Sequence, residues 1–379
     1  MKIEIIMAVR GEQLDNVKAT LESIGGAAPT HIINDGIENP PIKVSMVGER
    51  SSVPWDNARG CAQARHWGIT QSKADIVVLI DGHMKFPEGW LKQIEKHLKK
   101  HPQDMVCCQT QALDWKSWNL ITPVTGSDKE RIYTGAFLSY KKQENWQPGY
   151  DYHAIKGSWN PKTQKPGEIG CIMGACYAFK REWYKTIGEP LQICDEWGQD
   201  EEVLSLGTHF IGGNVVCLPI VVGHVFNAKR INRTDSFDHL SRRIASRHAV
   251  LRSIPMPEDE YQALSEFLSE KVKCMPHWSM FLQQDRIDLC EELKTLWACG
   301  PVSWETLKNV QYVRELTADE HKIEMGFRAG RKYKDDPVQP KDQKLLPVLP
   351  YRNPLNLPPA AINSFDIRQI RGAFKIRSA

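Results

Sequence analysis

Apolar and polar positions follow two distinct periods along the first hundred residues. Ile3 to Val9 is a nearly unbroken apolar run of strand length, and Leu14 to Ile24 places its apolar residues at helical spacing. His31-Ile32-Ile33-Asn34-Asp35-Gly36 reads as a second strand ending in a turn. Ala58 to Ser72 carries small and apolar residues at helical spacing, and Ala74 to Ile80 reads as another strand. Pro87-Glu88-Gly89-Trp90-Leu91 opens a helix that runs through Leu98. This βαβα rhythm predicts an α/β fold, a parallel sheet with helices on both faces. Residues 112–168 break it. They are rich in Trp, Tyr, Gly, Pro and Lys, with Trp115, Trp118, Trp146 and Trp159 among them. Such a segment lays irregular strands or loops across a sheet edge and shapes a cleft. Regular structure is expected again at Gly170 to Lys180, in a helix around Glu182 to Ile187, and in a strand at Val215 to Val222. From about 237 to 325 the pattern is helical, with Phe237, Leu240, Ile244 and Leu251 on one stripe.

The sharpest local feature is Val77-Val78-Leu79-Ile80-Asp81-Gly82-His83. A buried strand stops at a carboxylate and, two residues on, an imidazole. Ligands gather at the carboxyl ends of strands in open α/β sheets. Side chains on alternate residues point the same way, so Asp81 and His83 can grip one divalent metal. A turn or helix cap is the plainer reading of the motif alone. Four further features belong with it. Asp35 closes the second strand, where an Asp-Gly turn is the local alternative. Arg59 and Arg65 lie six apart on one expected helix. Trp197-Gly198-Gln199-Asp200-Glu201-Glu202 sets three carboxylates in a row, so at least one must face a cation, a hydroxyl or a helix N-terminus. Val221-Val222-Gly223-His224-Val225-Phe226 buries a histidine in an apolar run, where a core role competes with ligation.

Composition narrows the class. With 379 residues, 41% hydrophobic and 25% charged, the chain can bury one large domain or a domain with an accessory lobe. Its ten cysteines form no CxxC pair and sit mostly in apolar stretches, which predicts reduced thiols and a cytoplasmic setting. Cys274, His277, Cys290 and Cys299 are too irregularly spaced for a zinc site. The first ten residues read as a core strand instead of a signal peptide, and no apolar segment approaches a membrane span. The net charge of +3 is unevenly placed. Residues 328–379 hold eleven Lys/Arg against four Asp/Glu and include seven prolines. A solvated strap is one reading of that tail, and contact with an anionic acceptor is another.

Taken in order, these blocks resemble the GT-A glycosyltransferases, and within them the polypeptide N-acetylgalactosaminyltransferases and their bacterial and viral relatives. The Arg65 helix followed by DIVVLIDGHMKFPEGWL is similar to that family's Arg-Gly helix, strand and Asp-x-His segment. GCIMGACYAFKREWYKTIGE resembles its glycine-rich strand and following helix, WGQDEEVLSL its Trp-Gly-Gly-Glu-Asn-x-x-Leu-Ser block, and VVGHVF its Val-Gly-His-Val-Phe. The resemblance covers roughly residues 1–250 and implies a GT-A catalytic domain there. A helical lobe over 251–330 and a basic proline-rich tail over 331–379 would follow.

The resemblance also implies roles. Asp81, His83 and His224 would hold Mn2+ against the diphosphate of a UDP-sugar. Asp35 would hold the uridine, Arg65 would contact the donor, and Gly174 and Ala175 would let the backbone approach the sugar. Asp200 and Glu201 would lie by the sugar and the incoming hydroxyl. Arg230 and Arg233, in a Lys-Arg-Ile-Asn-Arg stretch, would close over the diphosphate. The implied activity is hexosyl transfer from a UDP-sugar to an acceptor hydroxyl of a protein, a glycan or a hydroxylated DNA base. A non-catalytic binding module is the alternative from another class. Two positions depart from the family. Gly207 replaces its arginine, which implies a missing contact, and Asp200-Glu201 replaces its Glu-Asn, which leaves a carboxylate where inverting enzymes keep a general base.

Overall fold

Val77 and Leu79 are buried on one side of a sheet, and Ile76, Val78 and Ile80 on the other. This two-sided burial is why the strand before Asp81 has no polar position. The structure is a computed structural model that describes residues 1–35, 53–55, 60–121, 132–140, 154–161, 163–196, 198–226, 237–271 and 278–317.

The strands, in chain order, are β1 (Ile3–Val9), β2 (Thr30–Asp35), β3 (Val53–Trp55), β4 (Ile76–Ile80), β5 (Met84–Lys85) and β6 (Met105–Ala112), then β7 (Ala136–Tyr140), β8 (Ile155–Trp159), β9 (Gly167–Glu168), β10 (Cys176–Lys180), β11 (Val215–His224) and β12 (Val313–Glu315). The helices are α1 (Leu14–Ile24), α2 (Cys61–Gln71), α3 (Trp90–Lys100), α4 (Arg181–Thr186), α5 (Asp200–Phe210), α6 (Phe237–Ser253), α7 (Glu258–Lys271), α8 (Gln284–Ala298) and α9 (Trp304–Asn309).

Among the described residues the main sheet runs β3-β2-β1-β4-β10-β6-β11-β5, with β9 beside β11. β1 pairs in parallel with β2 and β4, and β6 in parallel with β11, while β10 runs antiparallel to both β4 and β6. The sheet is therefore mixed, not wholly parallel as the rhythm predicts. The reason lies in the excursion between β6 and β10. It starts and finishes at the same edge, so the chain re-enters the sheet from the end where β4 and β6 stop. The backbone shows it directly: Cys176 lies opposite Ile80, and the Asp81 N–H donates to the Ala175 carbonyl at 3.1 Å. Residues 170–175 are accordingly an approach to β10 instead of part of it.

α1 and α3 cover one face through Val17, Leu21, Trp90, Leu91, Ile94 and Leu98. α2 and α5 cover the other through Ala62, Ala64, Ile69, Val203, Leu204, Leu206 and Phe210. The aromatic excursion supplies β7 and β8 of a second sheet, β12-β7-β8, in which β12 pairs in parallel with β7. The helical pattern expected through residue 325 thus ends in a short strand. Helices beyond residue 250 join the same core as α5: Leu264, Leu268, Cys290, Leu293, Trp297 and Trp304 belong to one buried cluster with Leu204 and Phe210. Ile244 and Leu251 of the predicted α6 stripe are buried. The side chains of Phe237 and Leu240 lie outside the described residues.

Gly207 explains itself through this packing. A Cβ there would come 3.0 Å from the Trp297 indole, whose Nε1 donates to the Ile187 carbonyl at 3.0 Å. The expected missing contact at Gly207 is instead a place filled by an α8 tryptophan. No described helix is long and apolar enough to cross a membrane.

Candidate metal and carboxylate site

Asp81 leaves the end of β4, His83 follows on the way to β5, and His224 closes β11. β5 pairs with β11 so that His224 sits opposite Met84, next to His83. Strand pairing therefore brings residues some 140 positions apart to one point. One ligand atom from each of Asp81, His83 and His224 lies within 4.8 Å of the others. His224 Nε2 is 3.4 Å and His83 Nε2 4.0 Å from Asp81 Oδ2, and the two imidazole rings lie 4.7 Å apart between centroids.

Glu12, absent from the sequence-level candidates, belongs to this cluster. It lies just past β1, and its Oε2 sits 3.2 Å from His83 Nδ1. With the Nδ1 proton given to Glu12, the Nε2 lone pair of His83 faces Asp81 and His224. Both ring nitrogens of His224 are buried and make no well-formed hydrogen bond. Burial holds the His224 ring below the usual histidine range, overcoming Asp81, which acts in the opposite sense. Burial pushes the Asp81 carboxyl up, but the His224 ring 3.4 Å away and the Arg65 charge prevail and hold it well below the carboxylate range. One carboxylate and two imidazoles form a donor set that fits a divalent transition metal such as Mn2+.

Arg65 links this cluster to the acidic run. It is buried in α2, with Nη2 2.8 Å from Asp81 Oδ1 and Nη1 bonded to both Asp200 Oδ2 and the Tyr177 hydroxyl. Tyr177 itself donates to Asp200 Oδ2 at 2.9 Å. The three neighbouring carboxylates are thereby divided. Asp200 is committed to Arg65 and Tyr177, and Glu202 accepts from the Gly157 N–H at 2.7 Å. Glu201 makes no ion pair or side-chain hydrogen bond among the described residues and is partly exposed. Burial of its carboxyl among Asp200 and Glu202 pushes it well above the ordinary glutamate range. All three stand in the first turn of α5, where the helix dipole favours negative charge.

The remaining candidates fall around this pair. Asp35 is buried and accepts from the Gly60 N–H at 2.9 Å, with Arg10 Nη1 at 3.6 Å. Arg10 also binds Glu196 at 2.7 Å, so Asp35 lies in a network at the start of α2. Gly60 has φ +92°, and a Cβ there would fall 2.0 Å from Glu196 Cα, so only glycine lets the two segments touch. Gly174, at φ +102°, is similarly constrained, because a Cβ would meet Thr110 Oγ1 at 2.4 Å. Ala175 pins the Asp81 backbone through its carbonyl. Arg59, Trp197, Arg230 and Arg233 lie outside the described residues. From the aromatic excursion, Tyr133 packs on Trp159 and on Phe226, with centroids 4.5 and 5.5 Å apart, and Phe226 sets its edge on His224. The described cysteines are free thiols, with Cys290 buried and Cys299 exposed.

Residues 52–188 match the pattern of Glycosyl transferase family 2. The chain is 22% identical over 257 residues to polypeptide N-acetylgalactosaminyltransferase 11 of Xenopus tropicalis, covering 64% of this chain and 36% of that protein. It is 20% identical over 317 residues to polypeptide N-acetylgalactosaminyltransferase 8 of Drosophila melanogaster, covering 80% and 50%. It is also 24% identical over 204 residues to an inactive polypeptide N-acetylgalactosaminyltransferase-like protein 5 of Macaca fascicularis, covering 54% and 42%. The chain thus spans half or less of the length of these relatives. A crystal structure of GalNAc-T7 with UDP, GalNAc and Mn2+ shares the fold, with a TM-score of 0.58 and 15% identity over 82% of this chain and 57% of that one. The fold is GT-A, and the chain resembles the polypeptide N-acetylgalactosaminyltransferase group.

Proposed function

We propose that this chain is a metal-dependent glycosyltransferase that moves a hexosyl group from a UDP-sugar to an acceptor hydroxyl. The convergence of Asp81, His83 and His224 on one point, joined through Arg65 to Asp200 beside Glu201, carries the reading. Asp81, His83 and His224 would hold Mn2+, which when bound offsets the charge gathering on the departing diphosphate. Glu12 orients His83 for that task, and Arg65 fixes the Asp81 carboxylate while keeping Asp200 from turning elsewhere. The Arg230 and Arg233 stretch would cover the diphosphate, and Gly174 and Ala175 would leave room for the sugar.

Glu201 is the general base in this reading. It is the one carboxylate of the three with no committed side-chain partner among the described residues, and burial beside Asp200 and Glu202 raises its affinity for a proton. It takes the proton from the acceptor hydroxyl as that oxygen attacks the anomeric carbon and the bond to UDP breaks. A base placed this way predicts inversion at that carbon. The likeness to a relative named inactive makes a non-catalytic sugar-nucleotide module the reading to exclude. A screen for UDP release over several UDP-sugars, with Mn2+ and with peptide, glycan or hydroxymethylated DNA as acceptor, tests the proposal. Mn2+-dependent release with one donor supports it; no release from any donor contradicts it.

A further inference from the structure

The C-terminal helices carry no catalytic motif, yet one of their side chains reaches the loop that leads into the carboxylates. Arg286, in α8, is 5% exposed. Its Nε donates to the Ile193 carbonyl at 2.9 Å, and Nη2 donates to the same carbonyl and to Ser246 Oγ, the latter at 2.9 Å. Its Nη1 reaches the Phe281 carbonyl at 3.0 Å and Asp195 Oδ2 at 3.5 Å. Ser246, in α6, adds to the grip: its Oγ accepts from the Asp195 N–H at 2.7 Å and lies 2.8 Å from the Asp195 carbonyl. From the opposite side Gln63 Nε2 sits 3.1, 3.0 and 2.7 Å from the carbonyls of Leu191, Gln192 and Cys194.

The stretch that follows these held residues is conformationally expensive. Glu196 has φ +63°, Gly198 +97° and Gln199 +75°, immediately before Asp200 and Glu201. Left-handed non-glycine residues persist only where their surroundings over-determine them. A buried guanidinium is itself a poor source of stability, because apolar residues of similar volume do as well. What the arginine fork supplies is geometry, since it fixes several acceptors at once and a lysine cannot. We propose that Arg286 is a positioning residue that sets residues 193–196 and thereby the place of Glu201 in the reaction. The inference rests on the reading of Glu201 as base. It also gives the helices beyond residue 250 a part in the chemistry that their sequence does not announce.

Arg286→Lys keeps a charge near Asp195 and loses the fork. Hydrogen exchange of the 193–201 amides is expected to speed up at least about tenfold, with the β4 and β11 amides unchanged. Misplacement of the base by about an ångström predicts a fall in kcat near 100-fold. KM for the UDP-sugar and the Kd for Mn2+, measured by titration, should stay within about threefold, because the metal ligands stand on strand ends the loop does not carry. If Arg286→Lys does not fold, Ser246→Ala removes one arm of the same grip and should show the same pattern at about a tenth of the effect on kcat. Unchanged loop exchange, or faster exchange with kcat within about threefold of the parent, overturns the proposal. So does a parallel loss of kcat, donor KM and Mn2+ affinity, which marks a merely structural residue. Absence of UDP release in the parent protein would remove the base reading instead, and loop exchange would still decide whether Arg286 sets the loop.

Discussion

The Asp81–His83–His224 cluster and the carboxylate run lie side by side, yet they are held in opposite ways. Asp81 and His224 stand at the ends of strands paired on both sides, positioned by ladder hydrogen bonds. Asp200 and Glu201 follow the left-handed Glu196 and Gln199, and the residues just before these are held by side chains from α2, α6 and α8. Strand ends need little outside help, because the ladder that makes the strand also aims its last side chain. A strained loop depends on contacts made far away in sequence. Changes near the metal cluster should therefore act locally, and changes near the loop should be sensitive to distant residues.

The largest effect that would test this contrast is at Glu201. Glu201→Gln should lower turnover by about 10²- to 10⁴-fold while leaving UDP affinity and thermal stability close to the parent, as read by UDP release and calorimetry. Asp200→Asn is expected to act differently, weakening the Arg65 and Tyr177 contacts and so loosening α5 as well as slowing the reaction. Equal, selective kinetic losses in both variants would count against the division of labour drawn here.

Next in size is the contact that lets the loop rest on α2. Gly60→Ala puts a Cβ into Glu196 at a left-handed φ, and should cost about 3 kcal/mol of stability in denaturant melts. A smaller and purely local effect is expected at Glu12. Glu12→Gln removes the carboxylate behind His83 and should weaken Mn2+ binding by about tenfold or somewhat more, with no change in loop exchange.

The last effect concerns pH and is set by buried histidines outside the metal cluster. Burial lowers His66 and His209 from 6.5 to about 4. As pH falls below 6.5 the unfolded chain takes up protons on these groups before the folded one does. Stability is thus flat above pH 6.5 and falls between 6.5 and 4, by at most about 3 kcal/mol per histidine. His209→Asn should flatten that decline in melts across the same range, and an unchanged slope would rule the histidine out as its source.

Much of the metal cluster was legible in the chain because it is written at strand ends. The run Ile76–Ile80 stops at Asp81, and the apolar stretch before His224 is uninterrupted enough to mark a core strand. β1, α1 and α3 were equally clear from their periods. Glu12 was not, since a single carboxylate in a loop has no pattern; its position just past β1, at the same edge as Asp81, was the available signal. The antiparallel course of β10 was hidden as well, because strand direction depends on where the excursion returns and not on periodicity. Arg286 and the Trp297 that fills the space beside Gly207 act on partners about 90 to 110 residues away. Such contacts exist only after folding, so no local spacing reveals them.

The central claim is that Asp81, His83 and His224 form one divalent-metal site that serves a nucleotide diphosphate. Calorimetric titration of Mn2+ in the presence of UDP tests it most directly, with the parent protein beside Asp81→Asn and His224→Ala. The account predicts one saturable Mn2+ per chain, lost or weakened at least about 100-fold in each variant, with both proteins still folded. Equal Mn2+ affinity in the parent and in both variants would contradict it.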